Sequence, residues 1–265
     1  MRNNRTLKLI LALTVLIIVL PMIIILIWSF TGRWPWPGIF PETFTTRTVE
    51  ELLFGSSNLI EILLSSILLA TLVAIIATAI AVMTARATVI YRVRGRRLIG
   101  YAALLPLLVP GTVFAMGIQV TLIRMHLNDT MTGVLLVHLV AALPYCITII
   151  TDVTAATGDK LEEQAMVLGA RPATAFFDVT LPQLLPGILS SMSMAYILSY
   201  SQYFTTLLAG GGKIKTLALV MVPYIQSGDR ALASIYAVVF VGSALIVFFI
   251  FETLIHRVMR NETGN

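Results

Sequence analysis

Six long apolar stretches, separated by short polar segments, dominate the chain. They run over about 9–30, 59–85, 98–123, 131–151, 187–208 and 232–255. Each is long enough to cross about 30 Å of hydrocarbon as a helix, so the pattern predicts six membrane-spanning helices. One polar interruption stands out between the fourth and fifth. Leu161 to Ile188 reads LEEQAMVLGARPATAFFDVTLPQLLPGI, with acids, a turn glycine and three prolines.

This interruption predicts two short helices joined by a turn. Asp159 followed by Glu162 fits a capping box that opens a helix near Lys160. Leu161, Ala165 and Leu168 then share one face, with Glu162, Glu163 and Gln164 on the other. Gly169 is placed for a left-handed C-terminal cap, and Pro172 for the first turn of a second helix. That helix is expected to end before Pro182, with Pro186 and Gly187 starting the next span.

Composition agrees with the pattern. The chain is 58% apolar and 12% charged, with a mean hydropathy of +0.92; soluble domains are nearer 25% charged. The 265 residues read as one membrane domain, 1–265. Arg2, Arg5 and Lys8 precede the first apolar run as they would in a secretory leader. That run is too long and lacks a small-residue cleavage site, so a retained helix is expected.

Charge predicts orientation. With the N-terminus inside, the cytoplasmic segments hold 12 basic residues against 6 outside, and the five arginines between 86 and 97 dominate the difference. Trp28, Trp34 and Trp36 then fall at the outer interface, and both termini and the 152–186 loop lie in the cytoplasm. The net charge of +5 gathers at membrane ends, where anionic headgroups lie, and so argues against a nucleic-acid partner. Cys146, the single cysteine, lies in the fourth span and offers no disulfide or metal site.

The 152–186 loop closely resembles the EAA loop of bacterial ABC importer permeases, through Glu163, Gln164, Ala165, Gly169, Leu181 and Pro182. Gln164 stands where the family usually has alanine. The resemblance implies an all-α membrane protein with six transmembrane helices in the type I ABC importer permease (MetI-like) fold. It also implies that the loop carries the coupling helix, which docks on an ATP-binding subunit. Glu162, Glu163, Gln164, Ala165, Leu168, Gly169, Ala170, Pro172, Leu181 and Pro182 are the residues expected there. The implied partners are two ABC ATP-binding subunits carrying ATP and Mg, a second permease subunit, identical or related, and an extracytoplasmic substrate-binding protein. The implied location is the bacterial inner membrane. No GxxxxGK[ST] phosphate loop occurs in this chain, so ATP is expected to bind elsewhere and no cofactor is expected here.

Candidates for the translocation path come from polar and helix-breaking residues inside the spans. Pro110 and Gly111 interrupt the third span after Pro106, either as a plain kink or as a bend lining a path. Gln119 follows one to two turns on. In the fifth span Ser199 and Gln202 share a face with Ala195 and Thr206, beside Tyr196, Tyr200 and Tyr203. A glutamine amide in hydrocarbon is costly unless it is paired or meets water. Pro144 is a further possible bend. Ser66, Ala70, Ala74 and Thr78 read as a packing stripe in the second span. His138 reads as a packed, hydrogen-bonded histidine, and Glu252 with His256 as a surface pair. Gly210, Gly211 and Gly212 are expected to break the helix before an apolar run ending at Pro223, re-entrant or lying on the surface. A meeting place with the substrate-binding protein is one reading of that outer segment.

The chain lacks GxSxG, HExxH and paired mid-membrane acids, which argues against an intramembrane enzyme. A secondary transporter or channel remains the alternative, but it usually needs intramembrane charges, and few are present. The tract SYSQYFTTLLAGGG resembles the permease branch serving polyamines, thiamine, ferric iron and phosphonates. Polyamine members often carry acids in this part of the fifth helix, where this chain has Gln202 and Tyr203.

Overall fold

The computed structural model describes the backbone of residues 3–34, 38, 40–55 and 58–263, with side chains from 7 to 253 of that set. Trp36 and the side chain of His256 lie outside the described residues. In chain order the helices are α1 (Asn3–Ser29), α2 (Arg47–Phe54), α3 (Leu59–Ala85), α4 (Arg96–Leu108), α5 (Gly111–Arg124) and α6 (Met131–Thr157). There follow α7 (Lys160–Val167), α8 (Pro172–Ala175), α9 (Leu181–Tyr200), α10 (Phe204–Gly210), α11 (Leu217–Ser227) and α12 (Arg230–Thr263). A small antiparallel pair, β1 (Thr31–Arg33) and β2 (Thr43–Phe44), is the one departure from helix among the described elements.

Among the described residues, five helices are long and apolar enough to cross a membrane: Leu7–Ser29, Leu59–Ile90, Met131–Thr157, Pro172–Tyr200 and Arg230–Thr253. The expected third span is not one straight helix. It divides into α4 and α5, bent by 108° at the break, and it is a sixth span if the pair crosses once. The cause is local. Pro110 has no N–H to continue α4, and its ring drives Val109 into an extended conformation (φ −93°, ψ 130°).

The fifth span also differs from expectation. The helix beginning at Pro172 does not stop before Pro182 but continues to Tyr200, so Pro186 and Gly187 lie inside it. A π-helical turn at Phe176–Thr180 precedes Pro182, and the Leu181 N–H reaches back to Phe176 O. The wider turn loosens the packing at the place where a proline ring would otherwise meet the backbone. Gln183 Nε2 donates to Val179 O at 2.8 Å, supplying a donor to this turn. The helix then breaks at Ser201–Tyr203, and α10 ends at the left-handed Gly211, as the glycine run predicts.

Contacts gather the chain into two compact units. One comprises Met1–Ile62 with Val220–Ser243. Within it Trp28 and Trp34 stack at 4.9 Å, Arg230 lies 5.1 Å over the Trp28 ring, and Arg47 pairs with Asp229 at 3.2 Å. The other comprises Leu63–Leu219 with Ala244–Asn265. Its centre is the α6–α9 pairing, the most extensive between helices. The small stripe of α3 packs as expected: Ser66, Ala70, Ala74 and Thr78 are buried. Its two hydroxyls are used, since Ser66 Oγ accepts from the Leu217 N–H at 2.8 Å and Thr78 Oγ1 meets Ser191 Oγ at 3.0 Å.

Candidate functional site: the α7–α8 loop and a cavity at two helix breaks

The α7–α8 loop ends its first helix by backbone chemistry that requires glycine. Gly169 has φ +96°, its N–H donates to Met166 O, and the Ala170 N–H donates to Ala165 O. This is a Schellman cap, which satisfies carbonyls left over at the helix end. A β-carbon on Gly169 would meet nothing within 4 Å, so the requirement is conformational and not steric. Pro172 opens α8 after an extended Arg171, as expected.

The expected capping box does not form. Asp159 makes no side-chain cap bond, and the Glu162 carboxylate faces inward. Arg86 Nη1 and Nη2 donate to its two oxygens at 2.8 and 2.7 Å, and Thr180 Oγ1 donates to Oε2. Arg86 also lies 4.6 Å over the Phe176 ring and donates to Tyr91 Oη at 3.1 Å. A bidentate charge-assisted pair outweighs a capping bond to a backbone N–H. Hydrogen bonds from Arg86 hold the Glu162 carboxyl below the usual carboxylate range, with Thr180 adding to this and partial burial opposing it. Glu162 therefore leaves the polar face on which its neighbours remain, for Glu163 and Gln164 are exposed.

Apolar side chains of α7 and its C-cap are largely uncovered in the isolated chain, Leu161 and Leu168 on the apolar face and, around the helix, Val167 between Glu163 and Gln164. Leu161 is 52% exposed, Val167 87% and Leu168 89%. Ala165 and Ala170 are half-buried, as are Leu181 and Pro182 at the start of α9.

A second feature is a cavity of about 350 Å³ where two helix breaks meet. Its walls include Pro106 and Gly111 beside the α4–α5 break, Gln202 and Phe204 beside the α9–α10 break, and Tyr145 of α6. No ionisable carboxylate, lysine, arginine or histidine is among its lining residues. Of the path candidates, Gly111 and Gln202 line it. The others have different surroundings. Pro110 is exposed as the N-cap of α5, and Tyr203 is half-buried ahead of α10. Gln119 Nε2 donates to Leu208 O at 3.1 Å, tying α5 to the last turn of α10. Tyr196 and Tyr200 are buried and stacked at 5.4 Å.

Ser199 belongs to a buried bridge that spans the α9–α10 break. His138 Nδ1 lies 2.8 Å from Ser199 Oγ, and Nε2 lies 2.9 Å from Thr206 Oγ1. Thr206 gives its one proton to Gln202 O, so it accepts from His138 Nε2. This is the packed, bonded histidine that the sequence suggests. The sequence places Thr206 on a face with Ser199 and Gln202, but it did not point to Arg86 and Thr180 as partners of Glu162. Arg86 was visible within the arginine group, but only as a topology signal.

The family described as "Binding-protein-dependent transport system inner membrane component" matches residues 77–261. The chain is similar to the putrescine transport system permease protein PotI of Escherichia coli (strain K12). Identity is 26% over 89% of this chain and 86% of that protein. It is 25% identical to a putative 2-aminoethylphosphonate transport system permease protein, PhnV, of Salmonella typhi, over 90% of both chains. It is 29% identical to the molybdate/tungstate transport system permease protein WtpB of Pyrococcus abyssi, over 75% of this chain and 79% of that one.

Proposed function

Because this chain belongs to the family of binding-protein-dependent transport system inner membrane components, we propose that it is the permease subunit of an ATP-driven importer and forms half of a translocation pathway. Residues 1–265 act as one permease domain, with the 152–186 loop in the cytoplasm together with both termini. α7 is the coupling helix. Its exposed Leu161, Val167 and Leu168 carry this reading, because three apolar side chains on an eight-residue helix and its cap call for a protein cover. Two ABC ATP-binding subunits supply that cover and bring ATP and Mg. A second permease completes the pathway, and an extracytoplasmic binding protein delivers the solute.

Transport proceeds by alternating access. Closure of the nucleotide-bound subunits moves the α7 helices, and the spans open the path to the other side. The cavity at the two helix breaks is the candidate path within this subunit. The solute is a small polar or charged molecule of the polyamine, thiamine, ferric iron or phosphonate class. The relatives named above are described as serving a diamine, a zwitterionic phosphonate and oxyanions, which supports a polar solute.

Reconstituted vesicles test the assignment. Uptake is expected to require ATP, the ATP-binding subunits and the binding protein. Uptake that persists without the ATP-binding subunits would instead make the chain a secondary transporter or channel.

A further inference from the structure

Glu162 is the one buried residue of α7, and both of its carboxylate oxygens are engaged. Its partners come from two different spans. Arg86 opens the π-helical turn Arg86–Ile90 that extends α3, and Thr180 closes the π-helical turn that leads into α9. Phe176, at the start of the second turn, stacks under the Arg86 guanidinium. A π turn carries an extra residue and marks a place where a helix deviates from its regular ladder. The inner side of α7 is thus fastened to both spans at their irregular turns, while Val167 and Leu168 remain exposed. The fastening has defined geometry, because two parallel N–H···O bonds fix both the separation and the plane of the pair.

We propose that Arg86, Glu162 and Thr180 form the joint through which a displacement of α7 reaches the spans ending at Arg86–Ile90 and beginning at Pro172. Glu162 and Arg86 are positioning residues of the transport cycle. Glu163, the glutamate of the EAA-like motif, stays on the exposed side, so the two adjacent acids face different tasks. A loose hydrophobic contact would let α7 slide over the spans. A charged pair shielded from water, with side chains 13% and 10% exposed, resists that. The proposal rests on the reading of α7 as the helix that docks on the ATP-binding subunit.

The test measures solute taken up per ATP hydrolysed in proteoliposomes containing the full transporter. Variants are Glu162→Gln, Arg86→Lys and the exchanged pair Arg86→Glu with Glu162→Arg. Glu162→Gln is expected to lower the uptake-to-hydrolysis ratio at least about fivefold, the usual floor for a coupling energy between sites. Arg86→Lys keeps the charge but loses the bidentate geometry, so it is expected to fall between wild type and Glu162→Gln. The exchanged pair is expected to recover part of the ratio lost in Glu162→Gln. A wild-type ratio in Glu162→Gln overturns the proposal. So does an exchanged pair no better than Glu162→Gln, or a Glu162→Gln subunit that no longer assembles, since the pair would then serve the fold alone. Failure of the importer reading looks different: the wild-type chain itself would show no ATP-dependent uptake.

Discussion

Gly187 of α9 and Val153 of α6 approach so closely that a β-carbon on Gly187 would lie 2.8 Å from Val153 Cγ2. Both residues sit in the pairing that centres the larger unit. Small residues at such crossings let helices pack closely in lipid, where no hydrophobic force between helices is available.

Gly187→Ala is therefore expected to destabilise the chain by about 1–3 kcal/mol, the usual cost of overpacking. The readout is the thermal unfolding midpoint in detergent. Val153→Ala, introduced into the same protein, should recover much of the loss by removing the methyl groups in the way. A Gly187→Ala midpoint equal to wild type would show that the helices are free to separate there.

The His138 bridge makes a different demand. Replacing His138 by Leu leaves two buried hydroxyls, Ser199 and Thr206, without their ring partners. Such loss costs about 1–3 kcal/mol for each group left unsatisfied. Thr206 keeps its bond to Gln202 O, so Ser199 should bear more of the cost. His138→Leu is expected to lower the unfolding midpoint, and adding Ser199→Ala should partly restore it. An additive loss in the double variant would contradict the bridge.

Much of this architecture was legible in the apolar pattern. The expected 59–85 span is α3, Leu59–Ala85, because apolar residues dominate it and Glu61, near its start, is its one charged residue. The Gly169 turn was legible because only a few residues adopt its backbone conformation at low cost. Proline was the less reliable guide. Pro110 divides a span that the apolar pattern reads straight through, whereas Pro182 fails to end a helix because a π turn accommodates it. A π turn leaves no trace in a hydrophobic pattern. The site was half legible for a related reason. Sequence spacing places Glu162 beside Glu163 on one face, but Arg86 lies 76 residues away, and no local periodicity connects the two.

The Glu162 pair gives stability a pH dependence with a definite sign. Its carboxyl is held below the usual range in the folded chain, chiefly by hydrogen bonds from Arg86. Its contribution is therefore fully present above the ordinary carboxylate pKa and is lost as pH falls through the depressed folded value. Stability at neutral pH should drop by on the order of 2 kcal/mol in Glu162→Gln, as for a lost hydrogen bond to a charged group. The informative comparison is the unfolding midpoint between neutral and strongly acidic pH. The wild-type advantage over Glu162→Gln should narrow only at the acid end. A constant difference across the range would mean that the carboxylate charge contributes nothing.

Gly169 separates backbone conformation from space. Its φ of +96° is strained for any β-branched side chain, yet the surroundings are open. Asparagine, which tolerates left-handed backbone, should largely preserve the turn, while valine should disturb it by about 1–2 kcal/mol. Co-purification with an ATP-binding subunit reads this out. Gly169→Asn should be retained and Gly169→Val lost or weakened, with both inserted in the membrane. Equal binding by the two would remove the turn from the docking surface.

The bent pair α4–α5 decides the sidedness of everything after it. If it crosses once, the six spans return the chain to the side on which it began, and α7 shares a side with the basic 86–97 segment. If it re-enters and exits on the same side, α7 lies on the opposite side from those arginines. Arg124, at the end of α5, distinguishes the two cases because it is exposed and precedes α6. In a Cys146→Ala background, a cysteine replacing Arg124 should react with a membrane-impermeant thiol reagent added from outside intact cells. A cysteine replacing Arg94 should react only after the membrane is opened. Labelling of both positions only after the membrane is opened would place the bent pair as a re-entrant loop on the inner side. It would also put α7 out of reach of any ATP-binding subunit in the cytoplasm, so this measurement bears on the importer reading as directly as transport itself.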